Sequence, residues 1–290
     1  MNNQLITRMK DKMSDFSKGQ RLIARYIEEH YDKVAFMTAS KLGATVGVSE
    51  STVVRFATEI GYAGYPELQQ AMQEMIRSKL TSVQRMEVTA ARIGSSDVLE
   101  SVMNQDIDMI RRTLEETSRE DFYAAVDAIV SSRKIYILAA RSSLALATFL
   151  NYYFTSMFEN IQLVNSTSEA EIFEQMIRVN ERDAVIGISF PRYSRKAVKA
   201  LQFASKRGAK VISITDSPLS PLAEPANYLL LARSDMASVV DAIVAPLSLI
   251  NALIVTTALK KKEEVTGIYH QLENIWDEYG VYEKVDEKSN

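Results

Sequence analysis

The stretch Thr38–Tyr65 reads TASKLGATVGVSESTVVRFATEIGYAGY. Its spacing predicts two short helices joined by a tight turn. Thr38 is suited to cap the first, because its side-chain oxygen can accept an otherwise orphaned backbone N–H. Ala39, Leu42 and Val46, at i, i+3 and i+7, form one apolar stripe. Gly47 follows, and glycine takes the left-handed conformation that ends a helix without steric cost. Val48 is apolar inside the turn and is expected to plug the space between the helices. Ser49 is placed to cap the second helix, with Glu50 in its first turn matching the positive end of the helix dipole. Val53, Phe56, Ala57 and Ile60 make its inward stripe, which leaves Ser51, Thr52, Arg55 and Thr58 facing out.

This arrangement matches a helix-turn-helix, whose second helix lies in the major groove of DNA. The competing reading is an ordinary helical hairpin, since the pattern is short. On the first reading Arg55 is the candidate for a base or phosphate contact, with Ser51 and Thr52 at the groove edge. Ser49 serves the cap and reaches a phosphate, and Lys41 on the first helix contacts the DNA backbone.

The flanks favour the DNA-binding reading. Residues 1–13 read as a short helical lead. Ser17-Lys18-Gly19-Gln20 is a capping-box pattern, and Leu22, Ile23, Tyr26 and Ile27 recur at helical spacing after it, predicting a helix to about Tyr31. Gly61 and Gly64 bracket a turn, and Pro66 suits the first position of a further helix through Met72, Met75 and Ile76. Residues 1–80 therefore form one all-helical unit. Residues 81–96 read as a linker, in part helical, ending in Gly-Ser-Ser.

Charge is divided the same way. The net charge is −3, but residues 1–92 hold 13 Lys or Arg against 10 Asp or Glu, and the remainder holds 21 against 27. A mildly basic end on an acidic body fits one DNA-contacting module that works in pairs. There is no cysteine, which excludes disulfides, thiolate metal sites and a cysteine nucleophile. No cofactor or metal is expected. The first residues lack the apolar core of a signal peptide. The apolar stretch Val239–Leu259 is interrupted by Asp241, Pro246, Ser248 and Asn251, so it reads as a buried helix rather than a membrane span. A cytoplasmic protein without a membrane partner is the expectation.

From residue 97 to 290 the pattern predicts a second domain. Helices are expected over about Asp97–Glu116 and again through Phe122, Val126 and Ile129. Lys134–Ala140, Ile161–Val164, Ala184–Phe190, Lys210–Thr215 and Tyr228–Ala232 are short apolar runs, rich in β-branched residues or leucine, that alternate with amphipathic stretches. That texture predicts a parallel five-stranded sheet flanked by helices. Ligands in such sheets sit beyond the carboxyl ends of the strands. Two loops there stand out, Arg141-Ser142-Ser143 and Pro191-Arg192-Tyr193-Ser194. Lys260–Glu264 reads as the solvated end of a long helix, and Tyr269, Leu272, Ile275, Trp276 and Tyr279 mark a last one.

Taken together, the chain resembles the RpiR family of bacterial transcriptional regulators. The resemblance rests on Met37–Leu42, Gly47-Val48-Ser49, Ser51–Phe56 and Gly61–Tyr65 in the first half. In the second it rests on Ala140–Ser143, Ile188–Ser194, Gly208–Ile212 and Thr215–Pro218, the strand-loop pattern of a sugar isomerase (SIS) domain. It implies a homodimeric or tetrameric, sequence-specific regulator of a double-stranded DNA operator, in which the SIS domain senses a phosphosugar and catalyses nothing. The candidate ligand set is Arg141, Ser142, Ser143, Ser189, Arg192, Tyr193 and Ser194, of which Ser143, Ser189 and Ser194 are the positions that match the family's pattern. The chain departs from the family where it matters. Arg141 and Arg192 stand where glycine is usual, and Pro191 replaces a serine. Arginine is the best bidentate partner for a phosphate or carboxylate, so the expected effector is anionic and sugar-derived, a phosphosugar or a sugar acid. The alternative role for both arginines is pairing with Asp or Glu across a dimer.

An enzyme is the alternative for the whole chain. Isomerisation needs a general base near the substrate carbon. His30 and His270 fall outside the strand-end loops, and Glu169 and Glu171 are the carboxylates best placed to approach the pocket.

Overall fold

A computed structural model describes residues 4–76, 81–94, 97–234 and 240–283. The chain divides into two compact units, the first running to Asp97.

The first unit is all helical: α1 (Gln4–Asp11), α2 (Lys18–Val34), α3 (Ala39–Val46), α4 (Glu50–Glu59), α5 (Tyr65–Ile76) and α6 (Ser82–Ile93). Its core gathers Leu5, Met9, Phe16, Ile23, Ile27, Leu42, Val53, Phe56, Ile60, Leu68 and Met72. The local signals act as the sequence predicts. Ser17 and Gln20 close a capping box on α2, Thr38 caps α3 by accepting from Lys41 N, and Gly47 ends α3 at φ 75°. The lead is a firm part of this core. Leu5 and Met9 are buried, and the rings of Phe16 and Phe56 lie 5.2 Å apart, a contact worth about 0.5–1.5 kcal/mol beyond its area. Helix α2 continues to Val34, past a kink at His30. The stretch read as a linker is largely α6, a 12-residue helix opened by a capping box between Thr81 and Gln84. Val83, Met86, Ala90 and Ile93 recur in it at helical spacing, and Thr81-x-x-Gln84 marks its start.

The second unit holds α7 (Val98–Glu116), α8 (Arg119–Val130), β1 (Lys134–Ala139), α9 (Leu144–Thr155), β2 (Ile161–Val164), α10 (Glu169–Gln175), β3 (Asp183–Ile188), α11 (Arg195–Lys206), β4 (Lys210–Thr215), β5 (Tyr228–Leu231), α12 (Val244–Lys260) and α13 (Lys262–Tyr279). All five strands are parallel, in the order β2-β1-β3-β4-β5. The sheet is covered on both faces. Residues of α8, α9, α12 and α13 form the core on one side, and residues of α10 and α11 on the other. Gly187 in β3 is required by that packing, since a Cβ there would stand 2.5 Å from Leu201 of α11.

The Lys260–Glu264 run ends α12 with Lys260, Lys262, Glu263 and Glu264 exposed, as expected, and it is also a sharp corner, where the chain bends by 98° between α12 and α13. Lys261 is largely buried there, with its ammonium donating to the Met157 carbonyl at 2.7 Å and lying 4.3 Å from the Phe158 ring centroid. Among the described residues no single helix is long and apolar enough to cross a membrane.

Candidate functional site

The helix pair α3–α4 is held by contacts that local pattern does not specify. Gly43 has no room for a side chain, since a Cβ would lie 2.8 Å from the Val48 carbonyl oxygen and 3.3 Å from Glu50 N. The two helices meet at backbone distance there. From behind, α5 grips the α2–α3 connection through three side chains. Tyr65 and Gln69 donate to the Met37 carbonyl at 2.8 Å each, and Gln73 donates to that of Ala35 at 2.9 Å. Burial pushes the Tyr65 hydroxyl up to about 12, so it stays a donor. At the far end of α4, Lys12 donates to the Glu59 carbonyl, which satisfies an orphan acceptor at the helix C-terminus.

The predicted DNA-contacting residues divide into exposed and engaged groups. Lys41, Ser51 and Arg55 are exposed. Arg55 is steered by its Nε, which donates to the Ser51 carbonyl at 3.3 Å. Ser49 caps α4 by accepting from Thr52 N, and its hydroxyl contacts those of Ser51 and Thr52 at 2.9 and 2.8 Å. Thr52 departs from the outward placement expected of it. It is half-buried, and its methyl would lie 3.4 Å from a Cβ at Gly19 of α2. The periodicity placed it at the margin of the stripe, and the neighbouring helix decided which side it takes.

The second candidate site lies at the carboxyl ends of β1 and β3. The strand order reverses between these neighbours, so their loops diverge and leave a crevice. The loop after β1 forms a single 3-10 turn, Arg141–Ser143, leading into α9. The loop after β3 leads through Ser194, whose hydroxyl accepts from Ala197 N and caps α11. Two helix N-termini therefore face the crevice, which favours an anion. Arg141 has φ 58° and Arg192 has φ 66°, the only described non-glycine residues in the left-handed region. The loops keep a glycine-type backbone while carrying arginine, and strain of this kind gathers at functional sites.

Hydrogen bonding separates the seven predicted ligand residues. Ser189 Oγ accepts from Ser194 N at 3.2 Å, the Ser189 carbonyl accepts from Thr215 Oγ1 at 2.9 Å, and Tyr193 OH donates to Asp216 Oδ1 at 2.9 Å. Those contacts brace the second loop against β4. Ser142 Oγ donates to Asp241 Oδ2 at 2.6 Å. Three groups remain. The exposed Arg141 and Arg192 guanidinium groups and the hydroxyl of buried Ser143 have no hydrogen-bond or ion-pair partner among the described residues. A groove of about 830 Å³ runs from Arg141 and Ser142 along α9, past Thr148, Phe149, Tyr152 and Tyr153. The sequence reading did not identify this aromatic wall, although its i, i+3, i+4 spacing was visible.

The carboxylates considered for catalysis are occupied. Glu169 pairs with Lys199 and Glu171 accepts from Ser166. His30 stacks on Tyr26 in α2, and His270 is exposed on α13. Among the described residues no group of three or more His, Cys, Asp or Glu is arranged to hold a metal ion.

Comparison with known proteins gives both halves a family. The helix-turn-helix domain of the rpiR family matches residues 3–79, and the SIS domain matches residues 128–256. An uncharacterized HTH-type transcriptional regulator of Caldanaerobacter subterraneus is 26% identical over 269 residues, spanning 89% of this chain and 91% of its own length. Another, from Clostridium perfringens, is 21% identical over 213 residues, 73% of this chain and 75% of its own. Among solved structures, the sugar isomerase domain of an RpiR transcription factor from Sphaerobacter thermophilus is 27% identical with a TM-score of 0.57, covering 61% of this chain and 98% of that one. The NanR protein of Vibrio vulnificus, solved with ManNAc-6P, shares the fold at a TM-score of 0.57 and 21% identity, over 93% of this chain and 97% of its own. With its helix-turn-helix domain placed ahead of its SIS domain, the chain belongs to the RpiR family of transcriptional regulators.

Proposed function

We propose that this regulator senses a small anionic, sugar-derived metabolite in the β1/β3 crevice, with Arg141, Ser143 and Arg192 as its direct contacts. The observation that carries this reading is the pair of arginines held at φ 58° and 66° with unpartnered guanidinium groups beside two helix N-termini. An anion placed there gains charge-assisted hydrogen bonds from groups that have no other partner among the described residues. Ser142, Ser189, Tyr193 and Ser194 act one step back, by fixing the loops. The complex of Vibrio vulnificus NanR with ManNAc-6P supports a phosphosugar as the ligand class.

The DNA side of the proposal assigns Arg55 to a base or phosphate, Ser51 and Lys41 to phosphates, and Ser49 and Thr52 to the shape of the α4 N-terminus. The working unit is a homodimer in the cytoplasm, binding two operator half-sites. Self-association is supported by an exposed apolar row on α7, where Leu99, Met103, Ile107, Ile110 and Leu114 are 37–73% exposed. The ligand acts by binding one arrangement of the dimer better than another. The chain acts as a regulator rather than an isomerase, a reading supported by the engagement of Glu169 and Glu171 elsewhere.

The test is a panel of hexose 6-phosphates, N-acetylhexosamine 6-phosphates and sugar acids, screened by thermal shift and followed by calorimetry. One class should raise the transition of the wild type and leave Arg192→Ala unmoved. If no member stabilises the wild type more than the variant, the anion site is wrong. An Arg55→Ala variant that footprints its operator as well as wild type would remove Arg55, and isomerase turnover without operator binding would favour the enzyme.

A further inference from the structure

The outward face of α4 carries one residue that does not belong on a polar surface. Val54 stands at i+3 from Ser51, next to Arg55 and four residues before Thr58, so it shares their half of the helix. It is 39% exposed, whereas Val53, Phe56 and Ala57 on the opposite half are fully buried. A β-branched residue at an exposed mid-helix position gains little burial and lowers helix propensity. A lone surface valine elsewhere would need no explanation. Here its neighbours Ser51, Arg55 and Thr58 hold polar groups close to the helix. The Ser51 hydroxyl contacts that of Ser49 at 2.9 Å, Arg55 Nε donates to the Ser51 carbonyl at 3.3 Å, and Thr58 Oγ1 donates to the Arg55 carbonyl at 2.9 Å. The face therefore presents an apolar spot flanked by hydroxyls and the Arg55 cation, with the exposed Glu50 carboxylate one turn before it.

The major groove offers one apolar feature to match it. Every base edge there presents hydrogen-bond donors or acceptors, and thymine adds a C5-methyl group. We propose that Val54 packs against a thymine methyl in each operator half-site and is a specificity-determining residue of this regulator. The inference rests on α4 being the recognition helix. It gives that helix two kinds of readout: Arg55 reads by charge and hydrogen bonding, and Val54 reads by excluding bases without a methyl at that position.

The test begins with operator sequences selected from a random duplex pool by the full-length protein. Each thymine of the selected half-site is then replaced singly by deoxyuridine, which removes the methyl and keeps every hydrogen-bonding group. Wild-type protein should lose about fourfold in affinity at one thymine per half-site, the effect of one buried methyl, and little elsewhere. Val54→Ser should bind the thymine duplex about as weakly as wild type binds the uracil one, and should not distinguish the two. Its thermal transition should match that of wild type, since Val54 lies outside the core. A deoxyuridine scan with no sensitive position would overturn the proposal, as would a Val54→Ser variant that keeps the preference for thymine. Enrichment of no sequence at all would overturn the recognition-helix reading together with it. A selected operator that responds uniformly to deoxyuridine would remove Val54 alone.

Discussion

Replacing Arg192 with glycine is expected to make the protein more stable and a poorer sensor. At φ 66° an L side chain crowds the following carbonyl, which costs about 1–2 kcal/mol. Glycine occupies that region freely but gives the unfolded chain more freedom, an opposing effect of about 0.5–1 kcal/mol. The net gain is roughly 0.5–1 kcal/mol, a rise of about 1–4 °C in Tm for a domain of this size. Arg141, at φ 58°, obeys the same arithmetic, so the double variant should gain about twice as much. Binding moves the other way. Each guanidinium is a charge-assisted donor worth about 1.5–3 kcal/mol, so either substitution should weaken the Kd of the anionic effector about 10- to 100-fold. Scanning calorimetry of ligand-free protein measures the first quantity. Titration calorimetry with the tightest ligand of the panel measures the second. A glycine variant that melts lower than wild type would show that the left-handed backbone is unstrained. One that binds the effector as tightly as wild type would remove that arginine from the site.

Three further substitutions probe the framework. Gly43→Ala places a Cβ against the backbone of Val48 and Glu50, atoms that have no rotamer to yield, and should destabilise the DNA-binding unit by about 1–3 kcal/mol. Urea unfolding and operator footprinting should decline together, and a variant that footprints normally would refute the close approach. Gly187→Ala drives a Cβ into Leu201 and should cost a similar amount, on the order of 1–3 kcal/mol. Leu201→Ala should cost less stability in the Gly187→Ala background than in the wild type, and an equal cost in both would mean the strain lies elsewhere. Tyr65→Phe removes the donor to Met37 and should cost about 1 kcal/mol near neutral pH. Because burial raises the Tyr65 hydroxyl from 10.0 to about 12, the folded protein holds that proton more tightly than the unfolded chain. The stabilisation is full below pH 10 and is lost as pH rises towards 12. The Phe variant should show a shallower alkaline decline in stability, and an equal slope in both proteins would count against the assignment.

Helices and strands were legible because their signals are local. Ser17 and Gln20, Thr38, Gly47 and Ser49 mark helix ends within three or four residues, and the short β-branched runs mark all five strands. Where local signal was weak the reading slipped. Helix α6 reads largely as linker because it runs into Gly94-Ser95-Ser96, although the Thr81–Gln84 box and the spacing of Val83, Met86, Ala90 and Ile93 mark a helix. Lys261 reads as solvated because lysine usually is, yet a distant carbonyl and an aromatic ring lie against its ammonium. The role of Gly43 was not legible, since the backbone it must accommodate belongs to the turn and to the start of the next helix.

The candidate sites divide along the same line. The order of residues alone places Ser51, Arg55, Arg141, Ser143 and Arg192 at a helix face or a strand end, because helical period and strand termination are short-range properties. It does not tell which of their neighbours remain available to a ligand. Ser142 is taken by Asp241, 99 residues away, and Tyr193 by Asp216 just past the end of β4, 23 residues away. A polar group bonds whatever folding brings within about 3 Å, and no sequence period encodes that partner. Folding likewise set two arginines in the left-handed backbone conformation that favours glycine, and left Val54 bare on the face of α4.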